Sequence, residues 1–385
     1  MAYRIGLERP DLPIKLIEKT GRLGGVIETW REDEWVCDIS VNAVRPHPSF
    51  WRLVDDLGMS DSFGPSRGIA SSRWIILRGG KHRISPATIL KIGAFGFLRG
   101  VFNSRKVGSS VLDVLQNREI ADAMTLGIVN DTADQVDANF LFPSLTGFGP
   151  KAPISRRSLR KKISKSYPIF TPRKGSLASL EGGMEDIIRV LHETISKMEN
   201  IEIILESEEG GPEEVSSAYD IPISSMIWTS TLPGRDHGET TLSVFAVGFQ
   251  EEVVSGVEIG YGTLIPDPNT PISGILHESD IHSSRRAPEG HRLFRLMVPH
   301  TRWDGNEQTV REALRVLNGF SGEPAIFRRI GERAIPRYPP GYLSSLKNYA
   351  GDLSLAGWTG SGVSVTHVVD EAERISELFT RLQKD

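Results

Sequence analysis

The chain has one cysteine, Cys37, among 385 residues. That excludes an intrachain disulfide framework and fits a reducing compartment. No run of 18 or more apolar residues occurs, so no membrane-crossing helix is expected. The first residues read as neither a signal peptide nor an Arg-rich transit peptide. Charge of one sign is scarce: 45 Lys and Arg face 49 Asp and Glu, a formal net charge of −4. Nucleic acid is therefore not the expected partner. Metal-ligand spacing is missing too. His277, His282, His291 and His300 fall without it, so no metal is expected, and no Ser-His-Asp arrangement can be inferred.

One further absence lies at the start. "MAYRIGLERPDL" reads as the last turns of a helix closed by Pro10, and "PIKLIE" (13–18) as a short strand. A parallel strand normally precedes such a helix, joined by a right-handed crossover. The sequence as written offers none.

What is present suggests a globular protein of two or three domains, with 39% hydrophobic and 24% charged residues. "LIEKTGRLGG" (16–25) is a strand, an acid and a glycine turn. Glu18 at that strand end could accept hydrogen bonds from a ribose, or simply end a strand. In "DISVNAVRP" (38–46) the small residues Ser40 and Ala43 would allow close contact with a flat ligand, or form an ordinary loop. "SSRWIILRGGKHRISP" (71–86) reads as a hairpin. From about 87 to 165 the pattern is helical, and "SLASLEGGMEDIIRVLHETISK" (176–197) is a turn feeding an amphipathic helix. Strands follow in "IEIIL", "SSMIWTSTLP", "TLSVFAVGF", "GYGTLIP", "ISGILHES" and "HRLFRLMVPH". "LAGWTGSGVSVTHVVDEA" (355–372) closes with strand, glycine turn and helix N-terminus. Such a terminus offers free N–H groups to an anion.

Taken together, "LIEKTGRLGG", "SLEGGMEDI", "FLFPSL", "GYGTLIP", "AIPRY" and "LAGWTGSGV" resemble the protoporphyrinogen oxidases of the flavin amine oxidase superfamily. The likeness runs from residue 1 to about 380. It implies an α+β fold with an interleaved, Rossmann-like FAD-binding domain over roughly 1–86, 172–235 and 340–385. A helical membrane-facing module would span 87–171, and an antiparallel-sheet substrate domain 236–339. Carried over by position, Glu18, Lys19, Ser40, Val41, Asn42, Ala43, Trp358, Val363, Ser364 and Val365 would contact FAD. Arg73 would pair with a substrate propionate. Gly127 would lie near the substrate, with Tyr261, Gly262, Leu264, Ile272 and Met297 as apolar walls.

The implied activity is oxidation of protoporphyrinogen IX to protoporphyrin IX in heme biosynthesis, acting on CH–CH bonds. Six electrons would leave in three flavin cycles, with dioxygen as acceptor. No catalytic side chain is assigned, because the cofactor carries the chemistry and the protein positions the substrate. The resemblance also implies attachment to the mitochondrial inner membrane, and is compatible with a homodimer. The alternatives are a flavin-dependent desaturase of another apolar substrate and a non-catalytic porphyrin-binding relative. Two departures from the family stand out besides the start. The segment between "IWTSTLP" and "TLSVFAVGF" is short, and Leu126 replaces the usual arginine before Gly127.

Two expectations follow. "KAPISRRSLRKKISK" (151–165) has seven Lys or Arg and no acid. It lies downstream of the apolar "ILKIGAFGFLRGVF", so this module is expected to contact anionic lipid. Flotation with anionic vesicles at low salt checks this, and failure to float rejects it. The glycine turn that normally meets the FAD pyrophosphate is not in the chain as written. Two or three lost hydrogen bonds to a charged group, worth about 1.5–3 kcal/mol each, remove on the order of 3–9 kcal/mol. That is roughly two to six decades of affinity. The chain is therefore expected to hold FAD poorly, and stoichiometric flavin after gel filtration at sub-micromolar protein would overturn this.

Overall fold

A seven-stranded mixed sheet dominates the computed structural model, which describes residues 1–77, 79–85, 100, 103–141, 166–173, 175–232, 237–317, 319–320, 322–347 and 353–381. Its strands lie in the order Ile326–Pro336, Glu239–Gln250, His291–Pro299, Gly274–Leu276, Gly262–Leu264, Arg73–Leu77, Gly80–Arg83. Neighbours are antiparallel except Gly262–Leu264 and Arg73–Leu77, which run parallel.

Strict alternation gives this sheet two different faces. Phe245, Val247 and Phe249 join Phe294, Leu296 and Val298 on one face, covered by Val310 and Leu314 of the helix Glu307–Arg315. Leu242, Val244, Ala246, Leu293 and Met297 lie on the other, the inner face. It packs on a two-stranded ribbon, Thr29–Glu32 with Trp35–Asp38, through Trp30, Trp35, Cys37 and Ile39. The contact is close. A Cβ on Gly248 would fall 2.2 Å from the Trp35 ring, so only glycine fits there.

The remainder is built from short parallel pairs and helices. Ile14–Ile17 pairs with Ile201–Ile204, and Ser354–Leu355 with Ile227–Trp228. The helices Ala2–Glu8, Pro48–Asp56 and Val365–Arg381 pack on one another, with Arg52 bridging to Glu373. Parallel pairs flanked by helices match the α+β expectation. Among the described residues no helix is long and apolar enough to cross a membrane. The basic stretch 151–165 lies outside the described residues, as does nearly all of 89–102. The described part of the helical module holds Val111–Leu115, Arg118–Val129 and Ala138–Leu141.

One expectation is corrected by the sheet topology. The hairpin at 73–83 was placed with the dinucleotide domain, but it completes the large sheet. Ile75 and Leu77 supply the reason: they are buried and pack with Leu264 and with Ala123 of the helix Arg118–Val129. The strand Ile326–Pro336 is announced by no alternation in the sequence. A register shift opposite Val244/Phe245 breaks its period.

The inner face carries charge as well as apolar groups. Arg295, buried, ion-pairs with the buried Glu278 at 2.9 Å and donates to the carbonyls of Asp38 and Ser40. Glu278 also meets His282 at 2.9 Å. Arg286, equally buried, faces Asp38 at 3.7 Å and donates to the Leu180 carbonyl. Burial is the largest single influence and would raise Glu278, but Arg295, His282 and Arg286 together outweigh it, and its pKa is held at about 2. Burial raises Asp38, with Arg286 opposing. A depressed carboxylate stabilises the fold above its unfolded pKa near 4.3, and that contribution fades as pH falls towards the folded value. Glu278→Gln is expected to cost about 3–5 kcal/mol at pH 7, because it leaves Arg295 uncompensated. It should also flatten the loss of stability between pH 4.5 and 2. Urea midpoints across that range check this, and an unchanged acid slope would contradict it.

Candidate functional site

The inner face ends in a line of small and apolar groups. Gly274 sits opposite Met297, and Met297 Cε packs where its Cβ would be, 2.7 Å away. The helix Arg118–Val129 closes over this place. A Cβ on Gly127 would lie 3.0 Å from Leu264 Cδ2. Gly262 holds φ +158, and a Cβ there would collide with the Ile275 carbonyl at 2.3 Å. The fold therefore brings Gly127, Leu264, Gly262 and Met297 together, although they are far apart in the chain. Ile272 is set apart from them, fully buried in the opposite core with Phe245 and Val310. It lies on the far side of the sheet because the chain turns between Ile272 and Gly274.

Next to this face runs the loop Ser40–Ala43. The Tyr261 hydroxyl donates to Asn42 Oδ1 at 3.4 Å. Arg73 lies exposed over the Tyr261 ring, its guanidinium 4.5 Å from the centroid. Arg73, Tyr261 and Asn42 thus form one chain from the surface inwards. The loop continues to Arg45, whose carbonyl accepts from Thr366 Oγ1 at 3.0 Å. That bond ties the first turn of the helix Val365–Arg381 to the loop. Gly357 and Gly362, at φ +74 and +85, set the turn that carries Trp358 and Val363. Val363 packs with Phe140 and Tyr338.

Glu18 and Lys19 end the strand Ile14–Ile17, where the Glu18 backbone bonds to Ile204 and Ser207. Glu18 Oε1 accepts from Thr20 N and Oγ1, both at 2.8 Å. Arg22 is spent on the Gly25 and Ile27 carbonyls and on Glu185. The Ser40 hydroxyl donates to the Val26 carbonyl, so only the Ser40 backbone could face a ligand. A polar groove of about 500 Å³ between Arg22, Arg31, Asp186 and His192 holds none of these candidate residues.

Whether the site suits a flavin can be judged from Asn42. Its Nδ2 is buried without a hydrogen-bond partner, and a buried unsatisfied donor is costly. It sits between small residues and Tyr261, where an acceptor on a flat ligand would satisfy it. The residues of the 40–43 loop and the 363–366 turn fit such a group. No cluster of His, Cys, Asp or Glu among the described residues could hold a metal.

Reading by motif missed Arg295, Glu278 and Arg333. Arg295 did leave a signal, since Leu293, Arg295 and Met297 alternate on one face and put a charge in the middle of an apolar stripe. Arg333 left none, because the register shift hides that Arg328 and Arg333 lie on the inner face and Arg329 on the other.

Comparison with known proteins shows the fold. Residues 2–104 match the family described as flavin containing amine oxidoreductase. The whole chain has the fold of flavin-dependent, amine-oxidase-like oxidoreductases. Among solved structures, a provisionally named protoporphyrinogen oxidase from Exiguobacterium sp. 255-15 is 17% identical with a TM-score of 0.66, covering 98% of this chain and 95% of that one. Cyclohexylamine oxidase from Brevibacterium oxydans IH-35A is 12% identical with a TM-score of 0.63, covering 100% and 97%. A reduced UDP-galactopyranose mutase is 12% identical with a TM-score of 0.62, covering 100% and 92%. No curated protein sequence matches the chain significantly. These matches support FAD as the cofactor.

Proposed function

We propose that the chain is a flavin-dependent oxidase of an apolar, carboxylate-bearing substrate, with protoporphyrinogen IX as substrate and dioxygen as acceptor. One observation carries this reading: Arg73 is stacked on Tyr261, which in turn reaches Asn42 of the loop fitted to the flavin. Bound FAD would supply the oxidising power by accepting two electrons per cycle.

The protein's part is to bind and orient. Arg73 pairs with a propionate at the mouth. Leu264 and Met297 hold the apolar ring system against the sheet. Asn42 would help hold the flavin through its free Nδ2, and the helix starting at Val365 would favour negative charge nearby. An amine oxidase is the second reading, since cyclohexylamine oxidase shares the fold. Against it stand Arg73 and Arg333, two cations without an ion pair among the described residues, which would repel an ammonium group.

With FAD in excess, Arg73→Ala is expected to raise the KM for protoporphyrinogen IX while leaving flavin content unchanged. A hydrogen bond to a charged group contributes about 1.5–3 kcal/mol once the substrate covers it, or roughly tenfold to hundredfold in KM. Porphyrin fluorescence measures the rate. An unchanged KM would reduce Arg73 to a solvated strand end.

A further inference from the structure

Beside the hairpin at 73–83 lies a second buried charge cluster, centred on Asp280. Its Oδ2 accepts from Arg292 Nη2 at 2.9 Å, from the Gly260 amide at 3.1 Å and from His277 Nδ1 at 3.2 Å. His277 is only 1% exposed. Arg292 also donates to the carbonyls of Val254 and Val257, so the whole segment 254–260 hangs on this cluster.

That segment delivers Tyr261. The Tyr261 amide donates to the Ser72 carbonyl at 2.7 Å, and the Tyr261 carbonyl accepts from the His277 amide at 3.0 Å. A Cβ on Gly260 would fall 2.6 Å from the Ser72 carbonyl oxygen and 3.2 Å from Trp74 Nε1, so the stretch has no slack. His277 grips it twice: at Tyr261 through its own backbone, and at Gly260 through Asp280.

The imidazole has one open valence. With the Asp280 carboxylate as acceptor, Nδ1 carries the hydrogen and Nε2 is a bare acceptor. Nε2 is fully buried without a hydrogen-bond partner among the described residues. The Phe294 ring packs against the imidazole, centroids 5.2 Å apart. The charged groups that face it are already engaged: Asp280 with its three donors, Arg292 with Asp280 and two carbonyls, and Lys81 of the hairpin with Glu258. A proton on Nε2 would add a cation near Arg292 and Lys81, with a buried N–H that nothing accepts. Burial above all, with Arg292 and Lys81 acting in the same direction, outweighs Asp280 and holds the imidazole pKa below its ordinary value.

We infer that His277 is a positioning residue for Tyr261, and that its neutral imidazole keeps this clamp closed. A charged His277 has to turn Nε2 towards an acceptor, and turning breaks the bond to Asp280. Gly260 and Tyr261 are then free to shift, and with them the Tyr261 hydroxyl on Asn42 and the ring under Arg73. The reach of this effect into a substrate site rests on the reading that Arg73, Tyr261 and Asn42 line it; the clamp itself does not. By linkage, a depressed imidazole stabilises the fold above its unfolded value of about 6.5, and that contribution is lost as pH falls towards the folded value.

The experiment uses the full chain without ligand, with fluorotyrosine and 15N-tryptophan incorporated. The Tyr261 fluorine signal and the Trp74 indole signal are identified through Tyr261→Phe and Trp74→Phe. Both are followed by NMR from about pH 7.5 to about pH 5 in wild type, His277→Asn and Lys81→Met. Asparagine keeps a donor for Asp280 and does not titrate. In the wild type both signals are expected to move together, with a midpoint below about 6.5. In His277→Asn both should stay still, and the fall in melting temperature over this range should shrink. Lys81→Met removes a cation that faces the imidazole from the surface, so it should raise the midpoint read at Tyr261. That readout stands even if His277→Asn fails to fold. A Tyr261 signal that does not titrate in the wild type overturns the inference, as does one that titrates equally in His277→Asn. So does a midpoint that Lys81→Met leaves unmoved. A wild type in which Tyr261 titrates as expected but which binds no porphyrin supports the clamp and rejects only the tetrapyrrole reading.

Discussion

A single buried carboxylate, Asp38, holds the site together. Its Oδ1 accepts from the Thr29 hydroxyl and the Met184 amide, both at 2.7 Å. Its carboxylate faces Arg286, and its backbone carbonyl accepts from Arg295. Three distant segments meet there: the ribbon at 29–38, the glycine turn at 182–184, and the inner face of the large sheet. The loop Ser40–Ala43 begins two residues later, and the Ser40 carbonyl is itself held by Arg295. This node fixes the start of the loop relative to the large sheet, and the Tyr261–Asn42 bond holds its middle. Charged groups at this depth are expensive unless fully paired, and here nearly every charge has a partner.

The same constraint explains the glycine turn. Gly183 has φ +107, and a Cβ there would lie 2.4 Å from Thr29. The turn must approach the ribbon that closely for the Met184 amide to reach Asp38. From this anchor the helix Glu185–Ile195 starts, with the Glu185 amide bonded to the Thr29 hydroxyl at 3.2 Å. "GGMED" is therefore explained within the protein itself. It fixes the orientation of a helix and a ribbon before any ligand is considered.

Electrostatics then divide the inner face. Arg295 and Arg286 are neutralised within the network, whereas Arg73 and Arg333 are not. The middle of the face is apolar, and Trp30 and Ile39 pack against it.

Much of the architecture was legible in the amino-acid sequence. Alternation in "TLSVFAVGF" and "HRLFRLMVPH" marked two strands, and the 3.6-residue period of "EDIIRVLHETI" marked a helix, because each reflects one buried face. The turns around Gly183 and Gly357 were visible as strand–glycine–helix patterns. Local pattern picked out Ser40 and Ala43, and Asn42 between them was assigned by the family resemblance. Local pattern could not decide which sheet the hairpin at 73–83 joins, since pairing with Gly262–Leu264 is a contact across almost two hundred residues. It could not place Ile272 on the far side of the sheet, nor tell the inward Arg328 and Arg333 from Arg329, because one register shift changes which side chains point inwards. Periodicity is a local property and was fixed by the chain alone. The assignment of partners, faces and charges depends on register between distant strands, and only the tertiary structure decided it.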